Sequence, residues 1–242
     1  MFTHYRSQGL IFKKENREEF DQLFTIYTKD FGRLEILGKA IRKISSKLRS
    51  SAEIFYLSDI EFIQGKVYKT LTDSVVINDF KNLRKSLGRL AVAYKISEVF
   101  DDLVRGQEPD EKLWQLLIDV FEKLNDPRIE YTKYQILYYF FLWNFLSILG
   151  YTPELFQCSL CQKKIIPENI FFSPREGGLI CSQCKISIKS AKKIDQNIVK
   201  IIRIVLKKDW PTLKRLKLKK EDYGQLSLIS NFYLSKILEE ME

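Results

Sequence analysis

All four cysteines of the chain lie between positions 158 and 184, as two Cys-x-x-Cys pairs. The pairs are Cys158 with Cys161 and Cys181 with Cys184, and the full pattern is C-x2-C-x19-C-x2-C. Each Cys-x-x-Cys turn can place two thiolates about 2.3 Å from one Zn²⁺, and two turns complete a tetrahedron. The only histidine, His4, is remote in sequence, so the predicted site is Cys₄. Four thiolates leave no position for water, and we therefore expect a structural Zn²⁺.

Three other interpretations of the cysteines stay open. Two disulfides would require an oxidising compartment, whereas residues 1–8 lack the apolar segment of a secretory signal, which favours the cytoplasm. A thioredoxin-like redox pair would require a βαβ context that the sequence does not show. A site that has lost its metal is the third alternative, although all four ligands are present.

Positive charge is concentrated in two segments. The chain has 40 Lys+Arg against 31 Asp+Glu, a net charge of +9, which suggests a polyanionic partner such as nucleic acid or an acidic membrane face. Segment 33–49 carries a net charge of +5 and segment 185–220 a net charge of +11, which leaves −7 for the rest. The candidate DNA-binding residues of the first segment are Arg33, Lys39, Arg42, Lys43, Lys47 and Arg49.

The first segment falls between the third and fourth predicted strands, beside Tyr27 and Phe31. Cations that contact phosphates and aromatic rings that stack on bases are typical of single-strand binding on a small barrel. A solvated loop is the alternative. In segment 185–220, Ile198, Ile201 and Val205 form an apolar stripe with lysines opposite. A solvated helix face, a DNA contact and a site for an acidic peptide all remain open for it.

No catalytic pattern is present, and we predict that the chain is not an enzyme. P-loop, G-x-G-x-x-G, H-E-x-x-H and paired-carboxylate signatures are all absent. His4 has no Ser, Asp or Cys partner at a recognisable spacing. The carboxylates from Glu98 to Glu111 lie at a junction of helices and are interpreted as a solvated acidic face. A zinc deaminase or hydrolase would need a histidine ligand and an adjacent general-base glutamate.

The N-terminal third of the chain alternates between apolar and polar side chains as strands do. Five such segments, the first ending at Phe12, fit a small closed barrel such as an OB-fold. From Asp79 the period becomes helical, and helices opened near Pro109 and Pro127 follow. The apolar stretch from Ile136 to Leu149 has about 14 residues, fewer than the roughly 20 that cross a bilayer, so it is predicted to be a buried helix.

These elements predict an α+β multidomain protein. An N-terminal OB-fold β-barrel (1–79) precedes a central and C-terminal α-helical domain (80–155 and 191–242), into which a Cys₄ zinc module (156–190) is inserted. The hydrophobic share of 45% and aromatic share of 13% exclude a disordered chain. Ten glycines and six prolines exclude a collagen-like one.

Two sequence blocks carry a resemblance to a known family. Gly150-Tyr-Thr-Pro-Glu-Leu155 leads into the first cysteine pair, and Phe172-Ser-Pro-Arg-Glu-Gly-Gly-Leu179 leads into the second. With Phe31-Gly-Arg33 and Gly38-Lys-Ala-Ile-Arg-Lys43, these blocks resemble the bacterial RecO family over nearly the whole chain. Ala40 stands where members of that family usually have glycine.

The resemblance implies a recombination mediator in DNA repair and homologous recombination. Such proteins bind single- and double-stranded DNA, anneal complementary strands, and work with RecR to load RecA onto DNA coated by single-stranded-DNA-binding protein (SSB). It further implies that loop 33–49 contacts DNA backbone, that the acidic tail of SSB binds the helical region, and that the Cys₄ site is structural. A cytoplasmic, nucleoid-associated location is expected, and whether RecF also binds is left open. The competing interpretation is a zinc-ribbon scaffold or an RNA-binding factor without annealing activity.

Overall fold

The computed structural model describes residues 3–130 and 133–241. The chain divides into two compact units, Met1–Tyr134 and Gln135–Glu242. Each unit has its own buried core, and the two are described separately below.

Unit 1 begins with a closed five-stranded barrel, which confirms the predicted OB-like fold. The barrel order is β1-β2-β3-β5-β4, with a parallel pairing between β3 and β5. The apolar side chains that alternate along the strands enclose one core, which includes Phe24, Ile36 and Phe62. The strands are β1 (His4–Arg17), β2 (Asp21–Thr28), β3 (Gly32–Gly38), β4 (Leu57–Ile63) and β5 (Lys69–Asn78).

The first strand is longer than predicted. The expected strand ended at Phe12, where a charged run begins, but β1 continues to Arg17 and pairs with β2 as far as Asp21. Because Lys13 to Arg17 are largely exposed and have a paired backbone, the charged side chains remain in water while the ladder satisfies their N–H and C=O groups. Charge therefore marks the exposed end of this strand and not its termination.

Three helices of unit 1 share an aromatic core with the barrel. They are α1 (Lys81–Arg84), α2 (Leu87–Leu103) and α3 (Glu111–Asn125), and the side chain of Asp110 caps α3. Phe12 stacks on Phe100 of α2 with ring centroids 4.4 Å apart, and its ring meets Phe121 of α3 edge-on. The change from strand to helix near residue 79 therefore falls inside one compact unit.

Unit 2 is built on the apolar stretch that the sequence predicted to be a buried helix. Helix α4 (Tyr134–Ile148) begins after the predicted start near Pro127, and its side chains from Phe140 to Leu146 are buried. The indole of Trp143 donates to the Ser230 hydroxyl (3.0 Å), and Asn144 donates to the Val205 carbonyl (3.0 Å). Both polar groups inside this core thus have a hydrogen-bond partner.

The rest of unit 2 combines a small sheet with four helices. The sheet order is β7 (Gly178–Ile180), β6 (Phe171–Ser173) and β8 (Lys192–Lys193), and the strands are antiparallel. As predicted, one face of α6 is apolar and buried, because Ile198, Ile201 and Val205 lie on it. Among the described residues, none of the helices combines the length and apolarity needed to span a bilayer. The elements are β6 (Phe171–Ser173), β7 (Gly178–Ile180), α5 (Ser182–Lys185), β8 (Lys192–Lys193), α6 (Gln196–Leu206), α7 (Trp210–Arg215) and α8 (Lys220–Met241).

Candidate metal centre and nucleic-acid interface

The fold brings the four cysteine sulfurs together. One Sγ atom from each of the four lies within 4.8 Å of the others. Cys161 Sγ and Cys181 Sγ are 3.8 Å apart, far beyond the roughly 2.05 Å of a disulfide. An edge of a tetrahedron with Zn–S bonds of about 2.3 Å measures about 3.8 Å. The sulfurs therefore have the spacing of metal ligands, and the cluster can hold a metal ion.

The electrostatics of the cluster also fit a cation. Burial opposes ionisation of Cys158, but N–H groups of Cys161, Cys181 and Leu160 lower the pKa of its thiol to about 6. The neighbouring sulfur of Cys181, together with burial, raises the pKa of Cys184 to about 12. Ionisation of Cys158 is thus favoured, and ionisation of Cys184 is disfavoured. A divalent ion would relieve that conflict, because its positive charge stabilises thiolates that bind it.

The two blocks beside the cysteine pairs hold the pairs in place. Glu154 accepts hydrogen bonds from the N–H groups of Phe156 (2.7 Å) and Gln157 (3.2 Å), just before Cys158. These bonds, led by that of Phe156, lower the pKa of the Glu154 carboxyl. The carboxylate therefore fixes the chain that enters the first pair.

The second block, residues 172–179, forms a hairpin, and steric constraints explain why it has glycine in and after its turn. Gly177 lies at φ +65° in the turn between β6 and β7, where its N–H donates to the Pro174 carbonyl. A Cβ atom on Gly178 would lie 2.3 Å from the Glu154 carbonyl oxygen. Glycine is thus required where β7 runs beside residue 154, shortly before Cys181 completes the site.

The loop between β3 and β4 carries most of the cations that the sequence singled out. Lys39, Arg42, Lys43, Lys47 and Arg49 are all exposed, and residues 47–50 form a 3₁₀ turn. Among the described residues, none of the five lies within 4.0 Å of a carboxylate oxygen. We call these five residues the barrel loop cations.

Arg33 lies in a different environment from the barrel loop cations. Its side chain is 20% exposed, and its guanidinium contacts the Asp101 carboxylate of α2 at 2.5 Å. Lys13 also lies near the same carboxylate, at 3.8 Å. The structure therefore places Arg33 in an ion pair between the barrel and α2.

The aromatic neighbours also differ from the sequence interpretation. Tyr27 is 1% exposed, and its hydroxyl accepts from the Asp110 N–H, so its ring is not available to stack on a base. Phe31 is half-buried against the barrel core. Phe20 is exposed beside the loop with the Lys43 ammonium 5.2 Å from its ring centre, and Ile44 is 92% exposed. The period-two pattern does not reveal these two residues, since both lie in turns.

His4 is exposed and pairs with a carboxylate. Its Nδ1 lies 2.7 Å from Glu61 Oε1 on the neighbouring strand, and this contact lowers the pKa of Glu61. The pair joins β1 to β4 at the edge of the barrel. Glu61 therefore gives His4 a contact that crosses from β1 to β4.

An OB-like barrel followed by a helical region with a four-cysteine cluster defines a class of α+β protein with a metal-holding module. Residues 1–80 match the family model for the N-terminal part of recombination protein O, and residues 84–241 match the one for its C-terminal part. DNA repair protein RecO of Dehalococcoides mccartyi is 29% identical over 236 residues, which cover 98% of this chain and 91% of that protein. The namesake proteins of Moorella thermoacetica (97% and 86% covered) and Caldanaerobacter subterraneus (87% and 83%) are 28% and 26% identical.

The chain belongs to the RecO family of DNA repair proteins. Membership implies a recombination mediator role.

Proposed function

We propose that this protein binds DNA through the barrel loop cations and anneals complementary strands. Five exposed cations without a carboxylate partner on an OB-like barrel are the observation that carries the proposal. Annealing requires no covalent chemistry, because base pairing supplies the free energy. The protein needs only to neutralise the repulsion between two phosphate backbones until pairing nucleates. Phosphate contacts carry no sequence information, so binding is expected to be independent of sequence.

The number of loop cations sets the expected salt dependence. If each of the five neutralises one phosphate, the single-strand slope of about −0.7 per contact sums to about −3.5. Affinity for an oligonucleotide then falls roughly 100-fold between 50 and 200 mM salt. An affinity that does not change with salt would contradict the electrostatic basis of the proposal.

An annealing assay with complementary oligonucleotides, with and without SSB, tests the function. Arg42→Glu with Lys43→Glu is expected to slow annealing and weaken binding while thermal unfolding changes little, since both side chains are exposed and each makes one surface contact, Arg42 with the Glu19 carbonyl and Lys43 with the Phe20 ring. Lys85→Glu with Lys112→Glu is the matched control, because it makes the same charge change at exposed positions of unit 1 outside the loop. A protein that binds DNA yet fails to anneal would favour the scaffold or RNA-binding alternative.

The proposal includes the partners that act with such a mediator. We propose that the protein works with RecR to load RecA onto SSB-coated single-stranded DNA, in the cytoplasm where the nucleoid lies. Addition of RecR and SSB to the strand-loading assay tests this step. RecA filament formation on SSB-coated DNA should accelerate only when both this protein and RecR are present.

A cavity in unit 2 suits the acidic, apolar tail of SSB. The cavity measures about 250 Å³, and Pro174 and Phe232 supply apolar surface while exposed Arg175 supplies positive charge. Lys236 also lines the cavity but is paired with Glu239 (3.3 Å) and Glu240 (3.8 Å). An apolar side chain can enter such a cavity while acidic groups contact its rim. A labelled SSB-tail peptide should bind the native protein and bind Arg175→Glu more weakly. Equal affinity for the two proteins would place the tail elsewhere.

A further inference from the structure

Unit 2 carries a dense group of cations that the barrel loop does not explain. Segment 207–220 holds seven of them against a single acidic residue, Asp209, and all seven are exposed. They lie at the end of α6, in and after α7, and at the start of α8. We call them the basic cluster: Lys207, Lys208, Lys214, Arg215, Lys217, Lys219 and Lys220.

The nearby carboxylates accept hydrogen bonds from backbone groups, and Asp209 interacts with Arg215 and Lys207 only at longer range. Asp209 accepts from the Thr212 N–H (3.0 Å) at the start of α7, and Asp222 accepts from the Lys219 N–H (2.8 Å). Asp195 likewise accepts from the Asn197 N–H (2.7 Å) at the start of α6. Across the described residues, no carboxylate oxygen comes within 4.0 Å of a cation of the basic cluster.

Helix stability explains only part of the cluster. Lys214 and Arg215 lie in the last turn of α7, where the negative end of the helix dipole favours cations. Lys219 and Lys220 lie at the start of α8, where the positive end of the dipole disfavours them. Seven like charges in one short segment also repel one another. Cations at the start of α8 are thus better explained by an anionic ligand than by the fold.

The apolar residues of the segment favour one kind of anion. Leu213 is buried, and Trp210, Leu216 and Leu218 are half-buried, so the segment exposes no large apolar side chain. Specific peptide sites generally centre on a buried apolar or aromatic anchor, whereas exposed cations can bind a phosphate backbone without such an anchor. The basic cluster therefore suits a nucleic-acid strand better than an acidic peptide.

We infer that the basic cluster is a second binding site for the phosphate backbone of single-stranded DNA. It uses residues of unit 2 and is separate from the barrel loop cations of unit 1. The inference rests on the proposed DNA-binding function and deepens it, because each chain then carries two strand sites. Annealing requires two strands to be held by the protein at once, and two sites allow one chain to hold both.

A charge-reversal variant of the full chain separates the new site from folding. Lys217→Glu, Lys219→Glu and Lys220→Glu remove three exposed cations, and two of the glutamates lie where the α8 dipole favours acidic groups. Unfolding of α8 is therefore not an expected consequence of the change. Lys163→Glu, Lys164→Glu and Lys189→Glu make the matched control, with the same charge change at exposed positions of unit 2.

The probe is a short fluorescent oligo(dT), and its binding stoichiometry and salt slope are measured by anisotropy. The native protein and the matched control should bind two oligonucleotides per chain, and the triple variant one. In the background of Arg42→Glu with Lys43→Glu, the triple variant should weaken the remaining binding roughly 100-fold at about 0.1 M salt if all three cations contact phosphates. The magnitude of the slope should fall by about 2.

The outcomes distinguish this inference from the proposed function. If the triple variant keeps two oligonucleotides per chain and its salt slope, the second site is refuted while the barrel loop proposal stands. If the loop variant binds normally and the triple variant binds nothing, the second site stands and the loop proposal fails. If an acidic peptide such as oligoglutamate binds the basic cluster and oligo(dT) does not, the inference of a DNA site is overturned.

Discussion

We predict that the four-cysteine cluster holds a structural Zn²⁺ and that removal of this ion destabilises unit 2. The second cysteine pair follows the β6–β7 hairpin, which carries Phe172 into the core of unit 2. There the Phe172 ring meets Trp143 and Tyr233 edge-on, at 6.2 and 5.4 Å between ring centres. Metal binding thus holds a hairpin whose side chain is part of the core, and loss of the metal should loosen both.

Linkage sets the magnitude of this effect. A ligand that binds only the folded state, at about 1,000 times its dissociation constant, stabilises that state by about 4 kcal/mol. For a chain of this size, about 1 kcal/mol shifts the melting temperature by roughly 2–4 °C. Chelation should therefore lower the melting temperature of the whole chain by about 8–16 °C, measured by calorimetry together with metal analysis.

Single substitutions should reproduce the effect of chelation. Cys158→Ala or Cys158→Ser should destabilise unit 2 even with zinc in excess, because Cys158 is fully buried and the substitution removes one of the four candidate ligands. Ser182→Ala, an exposed position between Cys181 and Cys184, is the control and should melt as the native protein does. Equal melting with and without chelator would refute the structural role of the metal.

Three further predictions follow from single contacts. Arg33→Gln should lose about 1–3 kcal/mol of stability in urea unfolding, because it breaks a charged hydrogen bond, yet leave oligonucleotide affinity unchanged; weaker binding would place Arg33 at the DNA. Ala40→Gly should raise the free energy of unfolding by about 0.5–1 kcal/mol in the same measurement. Ala40 lies at φ +51°, and the backbone strain that glycine removes there exceeds the stability lost to the greater entropy of the unfolded chain. A lower free energy of unfolding would contradict this comparison. The lowered pKa of Glu154 contributes stability that is fully present above its ordinary pKa of 4.5 and is lost as pH falls through the lower folded pKa, so the native protein and Glu154→Gln should converge in stability only below that folded pKa. A difference that persisted at low pH would assign the effect to something other than this carboxylate.

The barrel and the cysteine cluster could be predicted because their signals are local. Period-two alternation within each strand predicts the strands, and the spacing of each Cys-x-x-Cys pair predicts the ligands. Ala40 lies at φ +51°, a conformation that favours glycine. Local sequence patterns therefore predict most of the fold and all four candidate metal ligands.

Roles set by contacts between distant residues could not be predicted in this way. Tyr27 has the spacing of a strand residue, but its burial depends on Phe100 of α2 and Trp114 of α3, which are remote from it in the chain. Proximity in sequence groups Arg33 with the loop cations, whereas its ion-pair partner Asp101 is 68 residues away. The composition gives the number of cations but does not show which carboxylate, if any, each cation contacts.

Pairing, more than charge, separates the cations of this protein by role. Arg89 is 5% exposed and donates to the Tyr134 hydroxyl (2.8 Å) and the Leu124 carbonyl (3.0 Å), so its charge serves the core of unit 1. Arg33 likewise joins two elements of that unit. The barrel loop cations and the basic cluster are exposed and have no carboxylate partner among the described residues, so their charge remains available to a ligand. We therefore expect these two groups to supply most of the salt-dependent DNA affinity that the proposed annealing requires, because a desolvated or paired cation neutralises phosphates less readily than an exposed, unpaired one.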